Sequence, residues 1–432
     1  MVELIPVRAF HPQDPSAPGL LSPVYDTLSD ADLRRLSKHP HNAATFVARP
    51  SSMGLEEFVQ RAPRQLQNAL AAGAFVRDER DALYVYGIRY IPPPDILEAL
   101  PPESRRAEYL LLGLVGALDL ARTPESSIAR HENAFPERIE ERVRLTEATG
   151  MSFAPIMAGY TLPSHAINDL LERALGLHRR SMSLEGTSAP LVRAVLDGTE
   201  HRLWRLDDEP LLSKLAEQLD PLRLLILDGH HRYGAARELL RRGRQGSAPL
   251  VMLVESRDRA LHLLPWHRTL APGTVTLEEL VDQAGTRFAS VEPLGTAPSV
   301  EGLIAELGRK VRHHERGFLA VDPSNAVRFV GSRSSDGGYD FDLLHGYLGE
   351  EFHRDPHDFG VFRSPRQAVD TVRHPGSPWS GGVAFLLPGL DEEAIEERAF
   401  QTGRVMAHKS TMFLPKVAEG VVFAPASPTP RS

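Results

Sequence analysis

Five consecutive residues, Asp228-Gly229-His230-His231-Arg232, set a carboxylate, a glycine, two imidazoles and a guanidinium side by side. Such a set suits an anion, because imidazole and guanidinium N–H groups donate to phosphate oxygens and a glycine lets the backbone approach a ligand. A second pair, His131-Glu132, offers a carboxylate able to act as a general base. A third signal is lysine usage. The chain has only five lysines (Lys38, Lys214, Lys310, Lys409, Lys416), and two lie within eight residues of each other near the C-terminus. Lys409 and Lys416 are therefore candidates to close over the same anion. His267-Arg268, after Trp266, is a further basic pair. Each has a plainer alternative: Asp228 as a helix cap, Glu132 as a favourable charge at a helix start, His267 packed on Trp266, and the lysines on a solvated loop.

The surrounding sequence says what must hold these groups. Leu222 to Leu227 is a short apolar run that reads as a buried strand. Beyond the motif, Tyr233, Ala236 and Leu240 recur with helical spacing, Arg241 and Arg242 suit the negative helix end, and Gly243 suits its C-cap. The motif thus occupies a strand-to-helix junction, where free backbone N–H groups and the positive dipole end favour an anion. Glu132 has a similar place, between an extended segment and a charged helix opening at Pro136. His230 and His231, adjacent on a helix, point about 100° apart and make a poor chelating pair.

Composition narrows the function classes. A chain of 432 residues, with 42% hydrophobic and 25% charged residues, matches a soluble globular protein of two or three domains. The net charge of -8 argues against a general nucleic-acid binder. Having no cysteine excludes thiolate catalysis and cysteine zinc sites. No signal peptide or membrane-spanning run is evident, so the expectation is a cytoplasmic protein acting on a small molecule.

The expected fold class is α+β, a mixed α/β arrangement, with residues 1–270 as an N-terminal region, 271–423 as a C-terminal α+β domain and 424–432 as a disordered tail. The linker is placed at Ala271-Pro272-Gly273. Residues 41–47 read as a loop leading into a strand, Phe153 to Ala158 as a strand, and Leu261 to Thr269 as an edge strand. A loop is expected at Asp336-Gly337-Gly338. Gly403 to Thr411 nearly spells a phosphate loop, but His408 replaces its second glycine and a helix precedes it, so that reading is rejected.

Four blocks of the chain resemble the DUF1015 family: Ser22-Pro23-Val24-Tyr25-Asp26; Arg130-His131-Glu132-Asn133 with Arg142 to Thr149; Asp228 to Tyr233; and Lys409 to Lys416 with Gly420. Leu264 to Arg268 resembles a further family segment. The family is similar to ParB-like and sulfiredoxin-like nucleotide-binding domains, including free-serine kinases. The resemblance implies a ParB/sulfiredoxin-like core with a second α+β domain. It implies nucleotide phosphate on Gly229, His230, His231 and Arg232, with Arg268, Lys409 and Lys416 as further contacts. Asp228, His231 and Glu132 are the implied catalytic residues, with Glu132 as base and His131 and Tyr25 at the substrate. ATP or ADP is the expected cofactor; Mg²⁺ is expected with it, without an assignable ligand set. The chain departs from the family at Gly234-Ala235-Ala236, where Glu-Thr-Ala is usual. Two functions follow as expectations: transfer of a phosphoryl group to a free hydroxylated metabolite, serine first, or a non-catalytic nucleotide-binding regulator; a homodimer is the assembly considered. A DNA-binding role is disfavoured.

Overall fold

The structure is a computed structural model that describes residues 2–99, 105–162, 164–177, 184–244, 247–288, 290–296, 299–313, 316–324, 326–332, 340–355, 358–390, 392–403, 405–407 and 409–427. The Asp336-Gly337-Gly338 loop lies outside the described residues. The fold is mixed α/β, built on two large sheets.

The first sheet has nine strands. Eight follow the order Ile128–Arg130, Leu224–Asp228, Ile156–Tyr160, Leu250–Glu255, Tyr109–Leu118, Leu83–Tyr90, Thr199–Leu206 and Val192–Leu196, and Leu4–Ile5 pairs with Tyr109–Leu118. Two pairings are parallel, Leu224–Asp228 with Ile128–Arg130 and Ile156–Tyr160 with Leu250–Glu255; the rest are antiparallel. Leu224 to Leu227 are all buried, as a strand covered on both faces requires. Side chains alternate between faces. Tyr84, Tyr86 and Ile88 enter one apolar cluster and Leu83 and Val85 the other.

The second sheet is antiparallel, in the order Ser290–Thr296, Ala326–Ser332, Arg316–Val321, Val383–Leu386, His267–Leu270 and Gly360–Phe362. It carries the helices Val300–His313, Asp340–Phe352 and Pro365–Arg373. The larger apolar cluster runs on from Tyr84 and Met252 to Leu270, Phe318, Tyr347 and Phe385, so both halves share buried surface.

Several local readings change. Residues 44–47 form a helical turn, Ala44–Val47, because the Asn42 side chain accepts from the Ala44 amide at 2.9 Å and offers the backbone a turn. The strand expected from Phe153 begins only at Ile156. Pro155 has no N–H to give a ladder, and the carbonyls of Ala154 and Pro155 go to Arg232 instead. Leu261 to Thr269 divides at Trp266. His262–Pro265 pairs with Thr411–Leu414, while His267–Leu270 is an interior strand between two neighbours, not an edge.

The C-terminal segment returns to the first half of the chain. Thr411–Leu414 pairs with His262–Pro265, Glu419 with Ser22, Phe423 with Phe10, and Ala424–Pro425 with Met151–Ser152. A boundary at 423 cuts through a segment bonded to the first half. Residues 424–427 are ordered by that pairing and by Ala426, which donates to Gly150 O at 3.0 Å; residues 428–432 lie outside the described residues. Stacking of Phe423 on Phe10 at 5.1 Å explains why this tail docks.

Candidate functional site

Two parallel neighbours begin the site. Ile226 of Leu224–Asp228 stands opposite Arg130 of Ile128–Arg130. Two residues on, each strand leaves the sheet on the same side, one with Asp228 and the other with Glu132. Gly229 then turns the chain at φ 92° into the helix His230–Arg241, a backbone state that costs glycine least. No side chain caps this helix. The capping role for Asp228 is thereby removed: its carboxylate receives Arg232 Nη2 at 2.9 Å and the Lys416 ammonium.

A cleft of about 470 Å³ opens over this junction. Asp228, Gly229, His230, His231 and Glu132 line it from the first sheet, with Lys409, Thr411 and Lys416 from the returning C-terminal segment. Asp26, Thr27, Trp266, Arg363 and Gln367 complete the wall. Asp26 ends a block singled out in the sequence, Thr27 adjoins it, and Thr411 lies within another. Arg363 and Gln367 carried no signal, because a single arginine or glutamine on an amphipathic helix or loop resembles any solvated residue.

Glu132 is held tightly. Its Oε2 accepts from the Ser410 amide at 3.2 Å, the Thr411 amide at 3.4 Å and the Thr411 hydroxyl at 3.2 Å. Its Oε1 lies 3.4 Å from His230 Nδ1. Burial pushes its carboxyl up to about 7, despite the opposing Thr411 bonds and the Lys416 charge. A carboxyl poised there can both accept and release a proton near neutrality.

Asp228 goes the other way. Burial raises it, but Lys416 and Arg232 outweigh burial and hold it below the ordinary carboxylate range. The imidazoles are neutral at pH 7: burial pulls His131 and His231 down to about 4 and His230 well below its ordinary value. Positive charge in the cleft therefore comes from Lys409, Lys416, Arg363 and the helix start, not from histidine. His231 Nε2 accepts from the Phe135 amide at 3.2 Å, leaving Nδ1–H as its donor.

Other sequence candidates take different places. Arg232 does not line the cleft. Its Nη1 donates to Ala154 O at 2.6 Å and Pro155 O at 2.8 Å, and Nη2 to Asp228. It braces the strand end and orients Asp228. Arg232→Ala is accordingly expected to lower folding stability by about 1.5–3 kcal/mol, the scale of bonds from a charged donor, and to change ligand affinity less than loss of Lys409 does. Urea unfolding and calorimetric titration of the same variant separate the two effects.

His131 is fully buried and does not line the cleft; its Nε2 lies 2.7 Å from the Thr411 hydroxyl. If that hydroxyl donates to Glu132, His131 must donate to it. Tyr25 is also buried, under the Arg142 guanidinium at 3.9 Å, and its neighbours Asp26 and Thr27 reach the cleft instead. Neither His131 nor Tyr25 is placed to touch a substrate there. Arg268 is buried: Nη2 donates to Lys409 O at 2.7 Å and Nη1 to Trp266 O at 3.2 Å. Burial pulls its guanidinium down to about 10, still a cation at neutral pH. It holds the backbone of Lys409, whose φ is 52°, rather than reaching the cleft. The Lys409 ammonium lies 5.9 Å from the Trp266 ring centre. Gly234 faces Ile139, where a Cβ would come within 2.9 Å, and does not line the cleft either.

Among the described residues no group of three or more His, Asp or Glu side chains could hold a metal. Mg²⁺ fits this chain only in the usual way for that ion, through phosphate oxygens, water and at most one or two carboxylates.

The fold and cleft define a mixed α/β protein in which an uncapped helix start, a buried carboxyl and two lysines face one cleft. The chain belongs to the DUF1015 family, described as a protein of unknown function, whose model matches residues 4–363. No curated protein matches it. Among solved structures it is similar to a free serine kinase variant in complex with ADP, at 12% identity and TM-score 0.37, covering 67% of this chain and 84% of that one. It is also similar to a conserved hypothetical protein from Pyrococcus furiosus, at 11% identity and TM-score 0.37, covering 68% and 91%. A third similarity is to SbnI from Staphylococcus aureus with a C-terminal truncation, at 14% identity and TM-score 0.35, covering 69% and 82%.

Proposed function

We propose that the protein is a small-molecule kinase with a ParB/sulfiredoxin-like nucleotide-binding core, moving a phosphoryl group from ATP or ADP to a free hydroxylated metabolite, L-serine first. One observation carries the reading. A buried carboxyl, an uncapped helix start and two lysines of one remote segment meet in one cleft. Phosphoryl transfer asks for little else, since positioning and charge neutralisation do most of the work.

In this reading the nucleotide phosphates lie on the amides of Gly229 to His231, with Lys409 and Lys416 above them. Mg²⁺, when bound with the nucleotide, would supply further charge neutralisation. Glu132 takes the proton of the substrate hydroxyl as its oxygen bonds to phosphorus and the bond to the nucleotide breaks. The products are a phosphomonoester and a nucleotide shorter by one phosphate. Thr411 and His131 orient Glu132, and Asp228 positions Lys416.

A screen of both nucleotides against L-serine and related hydroxy compounds, read by phosphorylated product, tests the proposal. Product formation that depends on Glu132 supports it. Saturable nucleotide binding without any product would favour the regulatory role. Lys409→Ala is expected to weaken nucleotide binding about tenfold or more, since a charged hydrogen bond contributes about 1.5–3 kcal/mol. Unchanged affinity by calorimetry would remove Lys409 from the phosphate site.

A further inference from the structure

Behind the same helix lies a larger groove, of about 850 Å³, and none of the residues lining it lines the cleft described above. We propose that this groove is a second binding site, for a small oligophosphate anion.

Five arginines line it (Arg130, Arg223, Arg237, Arg241 and Arg242) against three glutamates, in a chain whose net charge is -8. Three of the five are fixed by ion pairs: Arg237 with Glu125 at 2.5 Å, Arg241 with Glu238 at 2.6 Å and Arg242 with Glu140 at 2.8 Å. The other two have no carboxylate partner among the described residues. Arg130 ends its strand as an exposed side chain. The Arg223 guanidinium stacks over the Phe400 ring at 3.5 Å, which orients its plane and leaves its N–H groups unspent.

A second observation points inward. Tyr233 is 4% exposed and lines the groove, yet its hydroxyl makes no hydrogen bond among the described residues. The ring is packed away while the hydroxyl opens to the groove, where it is left to meet a ligand. Two free guanidinium forks and a free phenol converge on one concavity, and the fork geometry matches phosphate oxygens bidentately. Three glutamates on the wall would repel a single weak anion. A ligand bearing two or more linked phosphates can span the separate arginines and outweigh them. The groove's wall includes the helix that begins at His230, so its occupant would sit on the back of the candidate active site.

Titration calorimetry with inorganic pyrophosphate at low ionic strength tests this, on the full chain, with three variants beside wild type. The double variant Arg130→Ser with Arg223→Ser changes exposed side chains only. It is expected to lose one binding event by at least tenfold, and Tyr233→Phe to weaken the same event severalfold. Lys409→Ala should leave that event in place and affect only the other. Wild-type titrations with no event beyond the one that Lys409→Ala removes would overturn the proposal, as would a double arginine variant that binds like wild type.

Discussion

Glu132→Gln is expected to lower kcat by ~10²–10⁴-fold, the usual contribution of a positioned base, while nucleotide affinity and fold persist. The carboxyl stands at about 7 in the folded chain against an ordinary 4.5. In wild type the rate should therefore climb through pH 7 as the carboxylate forms, and the variant should lose that limb. Turnover near wild type would eliminate Glu132 as base; lost nucleotide binding would move it to the phosphate shell. Stability gives an independent check. A carboxyl raised on folding contributes its stability below the unfolded value of about 4.5 and loses it as pH rises through about 7. A neutral glutamine escapes that loss, so at pH 8 the variant should melt above wild type, and at pH 4 near it. The same burial that makes Glu132 a useful base makes its ionised form costly.

Asp228→Ala is the other large effect. The carboxylate meets Arg232 at 2.9 Å and Lys416, all largely buried. Removing it leaves two cations facing each other, and breaking such a cluster costs about 3 kcal/mol or more. Adding Lys416→Ala should restore part of that loss, because the two positions share one interaction. Chemical denaturation of the two single variants and the double measures the coupling, and strict additivity would show that the pair is not an energetic unit. The sign with pH is opposite to that for Glu132. Asp228 is held below its ordinary 3.8, so its contribution is present above that pH and fades as acid protonates the carboxyl at lower pH.

Arginine 232 shows how a motif can be read correctly for place and differently for role. Its neighbours are a strand and a helix, as the apolar run and helical spacing require. Its guanidinium nevertheless turns back to the carbonyls of Ala154 and Pro155. Nothing in the local spacing says where a side chain four bonds long will find acceptors. His131 and Tyr25 follow the same logic: both stand in the right segments, but the side chains that reach the cleft are Glu132 and Asp26.

The sequence by itself determined the strand–glycine–helix junction at Asp228 to His231, the matching position of Glu132 before the helix Pro136–Thr149, and the mixed α/β class. These rest on local periodicity and on glycine and proline chemistry, which act over a few residues. The tertiary structure decided what lies across the gap. Parallel pairing of Ile128–Arg130 with Leu224–Asp228 sets Glu132 beside Asp228. The docking of Phe423 on Phe10 and the pairing of Thr411–Leu414 with His262–Pro265 bring Lys409 and Lys416 back to a junction nearly two hundred residues earlier. The charge state of the site was decided there too: burial neutralises the histidines and raises Glu132, and burial depends on residues that are remote in sequence and close only in the fold.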